Sequence, residues 1–304
     1  MSKLLRSAFA LASLPTICSA QTITQAFGAG DNAFSIDFVT IGNPNNAPDT
    51  TGYGSVAYTY NLGMYEVSRD QIDKANTAGS LGITYASYSS TVNKPGTGIS
   101  WYEAATYVNW LNTSKGYQAA YKFVGGTFQL WSSTDAGHDA NNMFRNSQAK
   151  YVIASRDEWY KGAYGNPNGT WNTYATGSNS EPTAVASGTA VNTAVYGGQS
   201  GPADITSAGG LSAYGTMGQG GNAYEWNETA SDGSNDIAGE RRELRGGSWS
   251  TKDSSWLPSY GTYFAFDPTF FFADSGFRVA SVPEPSSLSL LALGGVVVAL
   301  GRRR

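Results

Sequence analysis

The chain has 304 residues with 40% hydrophobic and only 14% charged side chains; its 37 glycines and eight tryptophans point to many turns around aromatic anchors and argue against a helical bundle. One cysteine and one histidine exclude an imidazole zinc site and a disulfide framework, and leave only His138 for building a Ser-His-Asp triad. The net charge is −4; with Lys3, Arg6 and Arg302 to Arg304 among the 19 cations and Glu284 among the 23 acids, residues 21–281 carry about −8, which argues against a nucleic-acid partner.

At the amino end, Lys3 and Arg6 head an apolar stretch reaching Ile17, and Cys18-Ser19-Ala20 offers small residues for cleavage before Gln21. Residues 1–20 read as a secretory signal peptide; the competing reading, a buried first helix, has Pro15 inside it. Removing that segment removes Cys18, the only cysteine, and with it any thiolate. Two strands follow. In "AFSIDFV", Phe34, Ile36 and Phe38 share a face, and in "SVAYTYNLGM" Val56, Tyr58, Tyr60, Leu62 and Met64 do the same. The turn-rich "GNPNNAPDTTGYG" joins them as an ordered loop or a long hairpin.

Three helix starts are legible as capping boxes, with Ser68, Ser100 and Ser155 each three residues before Gln71, Glu103 and Glu158. After Ser100, Trp101, Ala104, Ala105, Val108 and Leu111 recur at helical spacing, which predicts an inward face with Glu103, Asn109 and Asn112 toward solvent. His138, in the polar "SSTDAGHDANN", reads as a solvated surface residue. The helix in "SRDEWYKGAYG" is short and ends at Gly162 or Gly165. Beyond it, Trp171 and Tyr174 are the large anchors of an ordered loop excursion, with an interdomain linker as the alternative. No internal repeat of fixed period is present.

"GGNAYEWNETA" (220–230), "LRGGSWS" (244–250) and "SGFRVAS" (275–281) each set a glycine beside an aromatic or an arginine, as close backbone crossings require. In this order, and preceded by "YEVSRDQ", "ISWYEAATYVNWLN" and "IASRDEWYKGA", they resemble the sulfatase-modifying-factor family, best known for formylglycine-generating enzymes. The resemblance runs from about Tyr65 to Ser281. It implies an α+β fold over 21–281, a single compact, loop-rich domain resembling the C-type lectin-like fold of those enzymes.

The enzymes oxidise a substrate cysteine through a copper-binding cysteine pair between the RGGSW and GFR motifs. Here that interval, "STKDSSWLPSYGTYFAFDPTFFFAD", has no cysteine, and Val279 stands where the family's GFRCA carries one. Copper(I) requires soft donors, and Met217 supplies no pair of them, so the departure implies neither copper nor formylglycine generation and no catalytic residue is assigned. The family's iron-dependent sulfoxide synthases take histidines from an additional helical domain that is not seen in this sequence. The resemblance also implies calcium held by backbone carbonyls with Asn222 and Glu225, hard oxygen donors. The competing roles for Glu225 are an ion pair with an arginine such as Arg245 or the capping of backbone amides. Asp232, Ser234 and Asp236 alternate without the full spacing of a calcium loop and read as a solvated turn.

Tyr260, Tyr263, Phe266 and Phe271 belong to an aromatic run in the interval where the enzymes keep their active site. Phe270, Phe271 and Phe272 cannot all enter one core as a strand, because neighbours face opposite ways. Part of the run is expected to line a groove for sugar rings or a peptide; ordinary core packing is the competing use. At the carboxyl end, the apolar run from Leu288 to Gly301 spans about 21 Å as a helix against about 30 Å of bilayer core. With Pro283-Glu284-Pro285 before it and three arginines behind, residues 282–304 resemble the PEP-CTERM sorting signal of Gram-negative bacteria. That resemblance implies a short transmembrane segment, transient inner-membrane association, cleavage by an exosortase-type protease, and delivery to the cell envelope, cell surface or extracellular matrix; a plain tail anchor is the competing reading. The expected function is a binding module for extracellular carbohydrate or protein. The alternative is an enzyme with rebuilt, cysteine-independent chemistry, tested at His138, Asp267 and Asp274.

Overall fold

The structure is a computed structural model that describes residues 22–282. Strands β1 (Thr22–Phe27) and β2 (Phe34–Ile41) pair antiparallel with Thr22 opposite Val39 and Phe27 opposite Phe34. β2 buries Phe34, Ile36 and Phe38 on the expected face. The next strand, β3, is Tyr60–Gly63, shorter than the alternation suggested. Val56 reaches the core from an irregular stretch, because its amide and carbonyl are taken by the Asn46 side chain and the Asn45 amide instead of a ladder.

All three predicted capping boxes are formed, at the starts of α1 (Arg69–Gly79), α2 (Trp101–Thr113) and α3 (Arg156–Tyr164). Each serine accepts from the amide three residues on, and Gln71, Glu103 and Glu158 return the bond to the cap amide at 2.9, 2.9 and 2.7 Å. The end of α3 is Gly165. Gly162 lies within the helix, where a Cβ would meet Leu62 Cδ2 at 2.3 Å. Asn112 departs from expectation: it is 0% exposed. Its Oδ1 accepts from Lys150 and Tyr151 N–H, both at 2.9 Å, and its Nδ2 donates to the Tyr151 carbonyl at 2.7 Å. A fully satisfied amide can be buried, and this one ties α2 to β6 (Tyr151–Ile153).

The remaining strands are β4 (Lys122–Val124), β5 (Thr127–Gln129), β7 (Thr183–Ala184), β8 (Thr193–Ala194), β9 (Tyr224–Ala230), β10 (Arg242–Arg245), β11 (Phe264–Phe266), β12 (Ser275–Gly276) and β13 (Val279–Ser281). One sheet has the order β1-β2-β3-β13-β6 and a second the order β11-β10-β9-β12; β4-β5 and β7-β8 are two-stranded. The "GFR" segment leaves one sheet at β12 and enters the other at β13, so Phe277 and Arg278 lie between them. Trp101 and Trp226 lock α2 to β9 reciprocally: Trp101 Nε1 donates to the Asn227 carbonyl at 3.1 Å, and Trp226 Nε1 to that of Ile99 at 2.7 Å. Beneath them the Arg242 guanidinium lies 3.8 Å from the Phe144 ring centre and 4.8 Å from that of Trp101, and burial draws its pKa down to about 10. The segment after Gly165 is an ordered excursion: Asn172 N–H donates to the Tyr164 carbonyl at 2.7 Å, and Trp171 packs on Tyr160.

Candidate functional site

The motif residues assemble a buried charged cluster. Arg278 grips Glu225 with two bonds, Nη2 to Oε1 at 2.5 Å and Nε to Oε2 at 2.6 Å, and Trp159 Nε1 donates to the same Oε2 at 2.6 Å. The remaining Arg278 donors go to the carbonyls of Gly63 and Met217, each at 2.8 Å. Asn222, in the left-handed region at φ +61°, accepts from Ala203 N–H at 2.8 Å and donates to Glu66 Oε1 at 2.9 Å. Both oxygens of Glu225 and the carbonyl oxygen of Asn222 thus already accept from protein donors, an arrangement that does not fit a calcium ion held through these two side chains. Arg245 is not the partner of Glu225. It pairs with Glu243 at 2.9 Å, because residues two apart on β10 share a face, and Arg156 takes the other Glu243 oxygen at 2.9 Å.

Glu66 was not singled out by the sequence. It is fully buried, its Oε2 lacks a partner among the described residues, and burial followed by the nearby Glu225 raises its carboxyl to about 7 despite Arg278. Gly218, at φ +81°, makes room for it: a Cβ there would lie 2.7 Å from both Glu66 oxygens. The only available signal was an acid in "YEVSRDQ", immediately upstream of a helix cap inside a hydrophobic run.

Hydroxyls occupy the stretch after "LRGG". Ser248 and Ser250 donate to Asp274 Oδ2 at 2.6 and 2.7 Å, and Thr251 Oγ1 accepts from Ser248 N–H at 2.9 Å. His138 contacts the Trp131 carbonyl through Nδ1 at 3.1 Å, and Asp267 accepts from Thr269. His138, Asp267 and Asp274 therefore have separate partners and share no hydrogen bond. Asp232 caps the Ser234 amide at 2.8 Å in a turn. Among the described residues no three His, Cys, Asp or Glu side chains are placed to hold a metal ion.

The aromatic run forms a shelf on the second sheet. The β10–β11 register sets Arg242 opposite Phe266 and Leu244 opposite Phe264, so the two phenylalanines share a face. Phe264 stacks on Trp256 at 4.8 Å; Phe266 stacks on Phe270 at 5.7 Å and 23°, with Phe272 edge-on at 4.6 Å. A surface cavity of about 360 Å³ is lined by Gly239, Arg241, Phe266, Asp267 and Phe270. Of the four aromatic residues read from the sequence, Phe266 lines this cavity and Phe271 is exposed beside it at 54%. Tyr260 is 72% exposed but outside the lining, and Tyr263 covers the Arg245 guanidinium at 4.6 Å. Arg241 carried no reading from the sequence; Phe270 stood in the aromatic run without being assigned to the site, and Asp267 stood only with the enzyme alternative. The turn in which Phe270 N–H donates to the Asp267 carbonyl at 2.9 Å selects Phe270 over Phe271 as a wall.

Sequence comparison matches residues 32–282 to the sulfatase-modifying factor enzyme 1-like domain. The chain belongs to that family. Residues 281–304 match the PEP-CTERM protein-sorting motif, the signal for export by exosortase sorting. Comparison with curated proteins gives no match. Among solved structures the fold is similar to Treponema denticola variable protein 1 (18% identity over 86% of this chain and 99% of that one, TM-score 0.58). It is also similar to a structure titled CarF (19% identity, 82% and 98%, TM-score 0.54). At these identities the likeness is one of fold.

Copper chemistry does not fit this family member's donors. The one cysteine, Cys18, falls outside the described residues, and the Met217 thioether is buried, accepting from Ala208 N–H at 3.3 Å. Among the described residues no helix is long and apolar enough to cross a membrane; residues 1–20 and the apolar run from Leu288 to Gly301 lie outside them.

Proposed function

We propose that this exported family member acts at the cell surface or in the extracellular matrix as a carbohydrate-binding module, with the Phe266–Phe270 shelf as its contact face. The reading is carried by one observation: a stacked aromatic pair, with Phe270 47% exposed, walls a cavity whose rim bears the exposed side chains of Arg241 and Asp267. Flat apolar faces suit the C–H faces of pyranose rings, and a guanidinium with a carboxylate can donate to and accept from hydroxyls. The sorting motif supports release near Pro283-Glu284-Pro285 by an exosortase-type protease. Formylglycine generation has no support, since the cysteine pair it needs is absent from the sequence.

The test is binding of the processed protein to an array of soluble glycans, followed by calorimetry on Phe270→Ala. The expected result is binding without turnover that falls about tenfold or more in the variant, as for a contact-centre aromatic. Array silence, or affinity unchanged in Phe270→Ala, would refute the assignment.

A further inference from the structure

Resting on that reading of the shelf, we infer that the ligand is a linear, uncharged polysaccharide lying across two adjoining subsites, and that acidic glycans are rejected at the rim. A second surface cavity, of about 340 Å³, is lined by Tyr102, Glu103, Thr106, Asn109, Phe123 and Gly126. The backbone links it to the shelf: Tyr102 N–H donates to the carbonyl of buried Pro268 at 3.2 Å, and Pro268 is next in sequence to Asp267, which lines the first cavity. Its floor is aromatic too, with Tyr102 edge-on to Phe123 at 5.9 Å and tilted over Phe128 at 5.7 Å.

The two cavities differ in what they offer. In the second, the polar side chains are engaged within the protein. Glu103 accepts from Ser100 and Thr84, Asn109 brackets the Tyr121 backbone, and Thr106 donates to the Tyr102 carbonyl. A ligand there meets mainly ring faces. In the first, Arg241 and Asp267 remain exposed to select hydroxyls. A single sugar can use only one floor, whereas a chain of several sugars can use both, the second contact being made intramolecularly once the first is in place.

Charge supplies the selection. The loop from β9 to β10 carries Asp232, Asp236 and Glu240, and Gly239 and Arg241 of the same loop line the cavity. These acids crowd one another. Glu240 is pushed above the ordinary carboxylate range by burial first and then by Asp232 and Asp236, while its Oε2 has no partner among the described residues. With Asp267 this region carries four acids against two cations, Arg241, which is exposed, and Arg242, which is buried but still acts on Asp267 and Glu240. A polyuronate would meet net repulsion at this rim, and a neutral glucan would not.

The experiment is calorimetry of the processed protein with neutral β-linked glucose oligomers of two and six units and with a six-unit polyuronate, on wild type, Phe270→Ala, Phe123→Ala and Tyr102→Leu. Thermal melts confirm that each variant is folded, and the two second-cavity variants guard against the failure of either. The six-unit glucan is expected to bind at least tenfold more tightly than the two-unit one. Phe123→Ala and Tyr102→Leu should erase that preference, and the polyuronate should bind at least tenfold more weakly than the neutral six-unit chain. A two-unit glucan that needs Phe270 but shows no gain with length would keep the shelf and overturn the second subsite. Equal binding of polyuronate and glucan would overturn the charge selection. Binding of none of the three would remove the carbohydrate reading itself.

Discussion

Two regions of the interior each place one arginine among two glutamates, with opposite results. Arg145 reaches both of its acids, with Nη2 to Glu158 and Nε to Glu228, each at 2.8 Å. Burial pushes Glu158 up, but the guanidinium outweighs it and holds the carboxyl down at about 2. Arg278 reaches only Glu225; its other donors go to backbone carbonyls, and Glu66 is left with Asn222 and one unpartnered oxygen. The difference teaches that proximity of opposite charge does not decide protonation in a core. Allocation of donors does.

The largest test of this comparison removes each cation in turn. Arg145→Leu strands two carboxylates and Arg278→Leu chiefly one. Chemical denaturation should therefore place the first at or above the upper end of about 3–5 kcal/mol of destabilisation and the second nearer the lower end. Equal losses would break the distinction. The next test is pH. Glu66, raised in the fold from 4.5 to about 7, contributes stability that is fully present below its unfolded pKa and is lost as pH rises through about 7, on the order of 3 kcal/mol in all. Glu158 runs the other way: its contribution is present above 4.5 and is lost as pH falls toward about 2. Unfolding curves at pH 5 and pH 8 should differ in wild type and converge in Glu66→Gln; a wild-type protein indifferent to this interval would contradict the orphaned carboxyl.

What could be read from the sequence divides along the same line. Ser100 and Glu103 are three residues apart, and their bonds close within one turn, so the cap needed no knowledge of the rest of the chain. Phe34, Ile36 and Phe38 were legible because strand alternation is local. The partner of Glu225 was not. Arg278 arrives from 53 positions away through a parallel contact between β12 and β9, whereas Arg245, the nearer choice, was claimed by Glu243 on its own strand. Asn112 illustrates the same limit, since its burial depends on the β6 backbone, 39 positions distant. The aromatic run was visible as a run. Which of its rings face the cavity depended on the β10–β11 register and on the turn at Asp267, neither of which composition encodes.

A smaller effect tests whether the cap and the ion pair at Glu158 are separable. Its Oε2 accepts both the Ser155 amide and Arg145, so Ser155→Ala removes the hydroxyl cap but leaves that oxygen held. The expected loss is about 1 kcal/mol, similar to Ser100→Ala, where Glu103 is anchored by Thr84 instead. A loss several times larger at Ser155 would mean that the hydroxyl positions Glu158 for Arg145.

The smallest predicted effect concerns metal removal. Glu225 is neutralised by Arg278, and the carbonyl oxygen of Asn222 is taken by the Ala203 amide, so the loop has its counter-charge within the protein. A cation bound at a hundred times its dissociation constant would add about 2.7 kcal/mol to stability, and chelation would remove it. Treating the protein with a chelator is therefore expected to shift unfolding by less than about 0.5 kcal/mol, within the range of a change that touches no structural contact. A drop of the larger size, restored by calcium and abolished in Glu225→Gln, would show that Arg278 yields its place to a metal ion, and the contrast between the two buried clusters would then have to be redrawn around that ion.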